Sequence, residues 1–198
     1  MTKRTCTALL ALAVLLLAAA PSQAAGLSFG DPAGDALDGR KSMDIVKVGY
    51  DVRQMNRGGP PSLVIELTLA GPPETQLASY GVEGDAGPCF IDAGFRPGTV
   101  FATAVGSGAA SFFIGCEGED PELVDAKSLI KGNMITLSIA LDSLPKAARQ
   151  AGVLENLYAF TQTSEPVTGI FGNGDQDLGG PGVLPTDSAK TDKKFKFA

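Results

Sequence analysis

The sequence predicts an all-β chain, built as a single two-layer antiparallel β-sandwich of jelly-roll type with one short helix. Three observations carry that prediction. Apolar and polar residues alternate with a period of two through most of the chain, most cleanly at Leu63, Ile65, Leu67 and Leu69 around Val64, Glu66 and Thr68. Glycine and proline, 25 and 13 of 198 residues, fall between these runs and mark turns. Only one stretch, Lys146 to Ala151, has helix signals at both ends: Asp142, Ser143 and Pro145 before it and Gly152 after it. Nine or so short strands separated by Gly/Pro turns make a sandwich the natural packing.

In chain order, residues 1–24 read as a secretory leader. Lys3 and Arg4 precede an uncharged apolar run from Ala8 to Ala20, and Pro21-Ser22-Gln23-Ala24 supplies small residues at the cleavage position. The run is too short to span a bilayer and no second one follows. The expectation is therefore a secreted or periplasmic chain, without a membrane span once processed, whose single domain is residues 25–198.

The next stretch is the acidic loop Asp31-Pro-Ala-Gly-Asp35-Ala-Leu-Asp38, continuing to Asp44. Four carboxylates within fourteen residues repel one another unless water or a cation separates them. Calcium suits such a loop because it takes six to eight oxygen ligands in flexible geometry. A solvated acidic turn is the alternative, since Asp, Pro and Gly also build ordinary turns.

Strands follow. Val46, Val48, Tyr50 and Val52 alternate with Lys47, Gly49, Asp51 and Arg53, and pair with the Leu63–Leu69 run as a hairpin across the turn at residues 56–60. A strand around Leu77 to Glu83 places Tyr80 and Val82 on one face. Segments near 89–95, 99–106 and 110–116 are rich in Phe, Ile, Val and small residues. Glu117 to Glu122 reads as a solvated acidic connection. Leu123 to Ile130 and Met134 to Leu141 form a second hairpin turning at Lys131-Gly-Asn133, and Asn156 to Gln162 is a strand with Tyr158 and Phe160 on one face. A second Asp/Gly-rich loop spans residues 172–181, but neither acidic loop has the Glu at position twelve of the helix-loop-helix calcium motif. Phe195 and Phe197 alternate with Lys194 and Lys196, as in a last edge strand protected by lysine.

Composition excludes several chemistries. The formal net charge of −6 becomes −8 when Lys3 and Arg4 leave with the leader, 14 basic against 22 acidic residues, so nucleic acid is a poor partner. There is no histidine and no tryptophan. Histidine-dependent triads and histidine-ligated haem, zinc and copper are ruled out. Two cysteines survive processing, Cys89 and Cys116, and an exported chain meets an oxidising compartment, so a disulfide is expected. A simple meander through 89–95, 99–106 and 110–116 would hold them about 20 Å apart. A disulfide needs Cα atoms within about 7 Å. The bond therefore requires one segment to bend or leave the sheet.

The order of Phe29-Gly-Asp31-Pro-Ala-Gly-Asp35, Asp44-Ile-Val-Lys-Val48, the Leu63–Leu69 strand, Met134-Ile-Thr-Leu-Ser-Ile-Ala-Leu141, the Leu144-Pro145 turn and Leu157-Tyr-Ala-Phe-Thr161 resembles bacterial sandwich domains related to the family-nine carbohydrate-binding modules and the wider DOMON-like group. The resemblance covers most of residues 27–190. It implies a structural calcium ion in the first acidic loop, with Asp31, Asp35 and Asp44 as ligands and Asp38 as a neighbour. It also implies that the C-terminal stretch returns to the ion, through Asp175, Asp177 or Asp187, tying the first strand to the chain's end. Sugar-binding members clasp their ligand between aromatic rings, and here Tyr50, Tyr80, Tyr158 and Phe171 would have to stand in for the missing tryptophans.

The function expected on these grounds is that of an exported, non-catalytic binding module with calcium as its cofactor and an extracellular glycan as its ligand. The alternative is a structural or protein-interaction component of the cell envelope. A carboxylate-based hydrolase using Asp92 and Glu83 ranks behind both.

Overall fold

A computed structural model of the chain describes residues 26–37, 39–55, 57–74, 78–96, 109–163 and 187–197. Eleven strands are present among them: β1 (Leu27–Gly30), β2 (Ile45–Arg53), β3 (Ser62–Leu69), β4 (Ala78–Ala86), β5 (Cys89–Arg96), β6 (Ala109–Cys116), β7 (Glu122–Lys131), β8 (Met134–Ala140), β9 (Val153–Thr163), β10 (Asp187–Thr191) and β11 (Phe195–Lys196). A 3₁₀ turn, Leu141–Ser143, leads into the helix α1 (Lys146–Ala151). Gly152 ends α1 in the left-handed conformation, φ 64°, and donates its N–H to the Ala148 carbonyl at 3.3 Å.

The strands form two antiparallel sheets of one sandwich. Along the hydrogen-bonded path the order is β1-β2-β3-β8-β7-β6-β5-β4-β9-β10, and β11 also joins β9. The long strand β7 belongs to both sheets. Its first half, Glu122 to Ala126, pairs with β6, and its second half, Lys127 to Lys131, pairs with β8. The first sheet is thus β1, β2, β3, β8 and the end of β7. The second is the start of β7 with β6, β5, β4, β9 and β10. At the opposite margin β10 packs against β2 and β1, so the two ends of the path meet.

The alternation read from the sequence sets the inward faces. Val48, Tyr50, Leu63, Ile65, Leu67, Leu69, Ile135, Leu137 and Ile139 from the first sheet pack against Tyr80, Val82, Ile91, Ala93, Phe112, Ile114, Leu157 and Ala159 from the second, all in one core. A register shift between Ile45 and Lys47 breaks the strict period of two at the start of β2 and turns Ile45 inward as well. Phe195 and Phe197 are buried at the end of the chain, with Phe195 opposite Leu154 of β9, as an edge strand with outward lysines requires.

Cys89 and Cys116 are direct cross-strand partners with Cα atoms 4.0 Å apart, and they form the disulfide. The distance problem disappears because β6 pairs with β5 itself. The expected strand at 99–106 lies outside the described residues.

Tyr50 and Tyr80 are corrections to the ligand-binding set. Tyr50 is 2% exposed, stacks on Phe29 at a ring distance of 6.3 Å and meets Phe195 in a tilted contact at 5.8 Å. Tyr80 is fully buried; its hydroxyl accepts from the Glu74 N–H at 2.8 Å and donates to the Ser42 carbonyl at 3.1 Å. Both lie at the inward parity of their strands, so neither ring can meet a sugar. The Tyr50 hydroxyl is buried without a hydrogen-bond partner in the protein. Tyr50→Phe removes that desolvated group and is expected to stabilise the fold by about 1 kcal/mol, read as a higher midpoint in urea with an unchanged slope.

Candidate metal centre

The acidic loop begins where β1 ends. Asp31 keeps β1's pairing for one more residue, donating its N–H to the Val46 carbonyl at 3.3 Å. The chain then turns through Pro32 and Gly34. Gly34 sits at φ 94°, a conformation that only glycine adopts without strain, and this aims its N–H at Asp44 Oδ2, 2.7 Å away. Asp44 itself ends a turn closed by hydrogen bonds from Met43 to Arg40 and from Gly71 to Lys41, and its carbonyl accepts from Ala70 at 2.8 Å. It is 3% exposed.

The fourth carboxylate comes from the other end of the chain. Asp187 is the first residue of β10 and is paired with Thr161 of β9. One of its oxygens, Oδ2, accepts the N–H of Ile45 at 2.5 Å; the other accepts the N–H of Ser188 at 2.8 Å. The side chain of Thr161 donates to the Met43 carbonyl at 2.7 Å, a second stitch between β9 and the end of the acidic loop. These contacts hold Asp187 against the loop.

The result is a compact acidic group. A carboxylate oxygen from each of Asp31, Asp35 and Asp187 lies within 4.8 Å of the others. Burial, then the charges of Asp187, Asp35 and Asp44, push the Asp31 carboxyl up to about 6. Burial also raises Asp187, against the lowering effect of its two N–H donors, and Asp35 and Asp44 raise it further. Asp31 Oδ2 and Asp44 Oδ1 are both buried and accept no hydrogen bond. Buried carboxylate oxygens without donors are costly, and a cation is the group that satisfies several at once. Asp31, Asp35 and Asp187 can hold a metal ion; three carboxylates and no nitrogen or sulfur donor make it a site for a hard, oxygen-seeking cation.

Of the metal-ligand candidates in the sequence, Asp31, Asp35, Asp44 and Asp187 come together. Asp38, Asp175 and Asp177 lie outside the described residues, as does Phe171. Tyr158 lies half-buried on the outer face of the second sheet, stacked on Phe160 at 5.8 Å. Glu83 and Asp92, the carboxylate pair considered for hydrolysis, are register partners on β4 and β5, neighbours on one sheet face.

A feature that sequence reasoning missed is a groove of about 320 Å³ on the outer face of the first sheet. Gly26, Ser28 and Gly49 keep its floor low, and Lys47, Arg53 and Glu66 border it. Arg53 is held by Asp51 at 2.7 Å and Glu66 at 2.5 Å. The signal was present in the period of β2, where Lys47, Gly49, Asp51 and Arg53 share the outward face.

The elevated carboxyls give the metal-free protein an inverted pH response. With a folded pKa above the unfolded value of 3.8, Asp31 holds a proton in the folded state between about pH 4 and 6 where the unfolded chain has lost it. Its contribution is present below pH 4 and is lost as the pH rises through 6. Melting in chelator is expected to show the gap between wild type and Asp31→Asn widening in the variant's favour over this window. With a bound cation the ionised form is the one stabilised, and the order reverses.

Comparison of the chain with protein-family models, with curated proteins and with solved structures gives no match. Among the described residues no helix is long and apolar enough to cross a membrane.

Proposed function

We propose that the protein is an exported, non-catalytic binding module whose sandwich is fastened by a calcium ion. One observation carries this reading: Asp31 and Asp35, near the start of the described residues, converge with Asp187 near their end. An ion there bridges β1 to β10, the two strands at the ends of the sheet path. Calcium fits better than magnesium. The site offers clustered carboxylates of unequal burial rather than one or two carboxylates beside a substrate phosphate, and calcium accepts irregular coordination of six to eight oxygens.

The groove of the first sheet supports an extracellular glycan as the ligand. Its border alternates donors, Lys47 and Arg53, with acceptors, Asp51 and Glu66, and a sugar hydroxyl can serve both. One wall is β1, which runs straight into Asp31, so the ion that anchors β1 also shapes the groove.

Isothermal titration of chelator-treated protein tests the calcium reading. One calcium per chain with a clearly weaker response to magnesium is the expected result; no heat with either ion, together with no metal in the purified exported protein, would sink it. A glycan array run with calcium tests the ligand, and a hit retained by Arg53→Ala would place the sugar elsewhere.

The envelope-interaction reading is favoured by a different observation, an exposed apolar patch beside acidic residues on the second sheet.

A further inference from the structure

The groove on the outer face of the first sheet has a floor that the fold itself does not require. Gly49 stands in the middle of β2, where glycine is among the least stabilising residues. Its φ is not positive, and a Cβ added to it would meet nothing closer than Glu66 Cβ, at 3.8 Å. Neither backbone conformation nor crowding therefore calls for glycine at this position. Bare backbone inside a strand also marks a place where a ligand approaches closely. Directly across from Gly49 on the same face are Ser28 of β1 and Glu66 of β3, so the small Ser28 side chain extends the floor toward β1.

The charges around this floor differ in what they have left to offer. On one side of Gly49, Arg53 donates to Asp51 Oδ2 at 2.7 Å and to Glu66 Oε1 at 2.5 Å. The other oxygen of Asp51 accepts the Val52 N–H at 2.8 Å. On the other side stands Lys47, exposed, paired across the sheet with Gly30 and Thr68. Glu66 is its diagonal neighbour, but Arg53 draws that carboxylate away. Among the described residues Lys47 has no carboxylate partner. The groove is thus polarised. Its Arg53 end is rich in acceptors, and its other end holds a cation that the protein leaves unmatched.

That polarity selects among glycans. Sugar hydroxyls can donate to Glu66 and exchange hydrogen bonds with Ser28 and Thr68. The group that meets Lys47 must accept, and a carboxylate makes the stronger, charge-assisted bond. A cationic ligand gains little here, because it must compete with Arg53 for both acids and then faces Lys47. A polyanion is repelled by a chain of formal net charge −6. The volume of about 320 Å³ is at the low end of small-ligand sites, about 300–1,000 Å³, which suits a short stretch of glycan. We infer that the groove takes a largely neutral glycan bearing a single uronic acid, with the carboxylate on Lys47 and the sugar ring over Gly49. The inference rests on the reading of this groove as the glycan site and narrows it to one class of sugar.

The test is calorimetric titration of the whole processed chain, in calcium, with three sets of probes. These are neutral oligosaccharides carrying one glucuronate or galacturonate, the methyl esters of the same compounds, and the uncharged parent oligosaccharides. An acid is expected to bind at least tenfold more tightly than its ester. Lys47→Gln is expected to bring the acid down to the level of the ester, and Lys47→Arg to keep most of the difference, with the melting midpoint unchanged in both. Gly49→Val fills the floor and is expected to weaken acid and ester alike at least tenfold while holding or raising the melting midpoint. Should Gly49→Val fold poorly, the two Lys47 variants decide the matter alone. Acid, ester and parent binding equally well would overturn this inference and leave the glycan reading standing. Silence from all three sets would overturn both. A preference for the acid that survives Lys47→Gln, or binding that survives Gly49→Val, would put the sugar elsewhere and overturn the inference.

Discussion

Calcium added to about 100 times its Kd is expected to raise the melting midpoint of the chelator-treated protein by about 5–10 °C. At that excess a ligand of the native state alone contributes about 2.7 kcal/mol, and a domain of this size shifts by about 2–4 °C per kcal/mol. Asp187→Asn is the decisive variant. The amide keeps an oxygen for the N–H of Ile45, gives up the acceptor for the N–H of Ser188, and removes one of the charges crowded around Asp31. The lost bond and the relieved repulsion offset one another, so the metal-free variant is expected to melt close to the metal-free wild type, while its response to calcium largely vanishes. Asp187→Ala differs in kind. It also strips the buried Ile45 N–H of its acceptor, which costs about 1–3 kcal/mol with or without metal. Differential scanning calorimetry of the three proteins in chelator and in calcium separates the two effects. Equal calcium responses in all three would remove Asp187 from the centre.

Loss of the disulfide is expected to have an effect of similar size, at a different place. Cys89 and Cys116 are separated by 27 residues, and constraining a loop of that length stabilises by about 3–4 kcal/mol in the chain-entropy model. The double variant Cys89→Ala/Cys116→Ala should therefore melt about 6–16 °C lower. The bond joins β5 and β6 in the second sheet, whereas the acidic centre lies where β10 meets β1 and β2. Calcium affinity in the folded variant should consequently match wild type. A calorimetric titration below its melting range checks this, and a large drop in affinity would show that the two halves of the sandwich are coupled.

The acidic group sits at a margin of the sandwich, which the disulfide does not. A sandwich with an open margin exposes edge strands and fraying termini. On one side β7 passes from sheet to sheet and leaves no gap. On the other, β10 and β1 are short strands, and two hydrogen bonds cross from β10 and β9 to the start of β2, from the Ile45 N–H to Asp187 and from the Thr161 hydroxyl to the Met43 carbonyl. An ion held by the acidic group would act at that margin.

Much of the architecture was legible in the residues themselves. Leu63, Ile65, Leu67 and Leu69 could only be one buried strand face, and Pro145 with Gly152 bracketed the helix to the residue because each has a backbone preference that needs no tertiary context. Parity also placed Tyr50 and Tyr80 inward with their aliphatic neighbours; their suggested sugar-binding role ignored that signal. The acidic loop announced itself by like charges at close spacing. What the residues could not declare were β1 and β10. Leu27–Gly30 is only four residues long, with just Leu27 and Phe29 to mark a period of two, and Asp187–Thr191 carries serine, alanine and lysine rather than large apolar residues, so they become strands because β2 and β9 offer them unpaired edges. The meeting of Asp187 with Asp31 and Asp35 was likewise decided by tertiary structure, because a cluster made from residues more than 150 positions apart exists only after the sheets close. Local chemistry chose the ligands' type; long-range pairing chose which of them share a site.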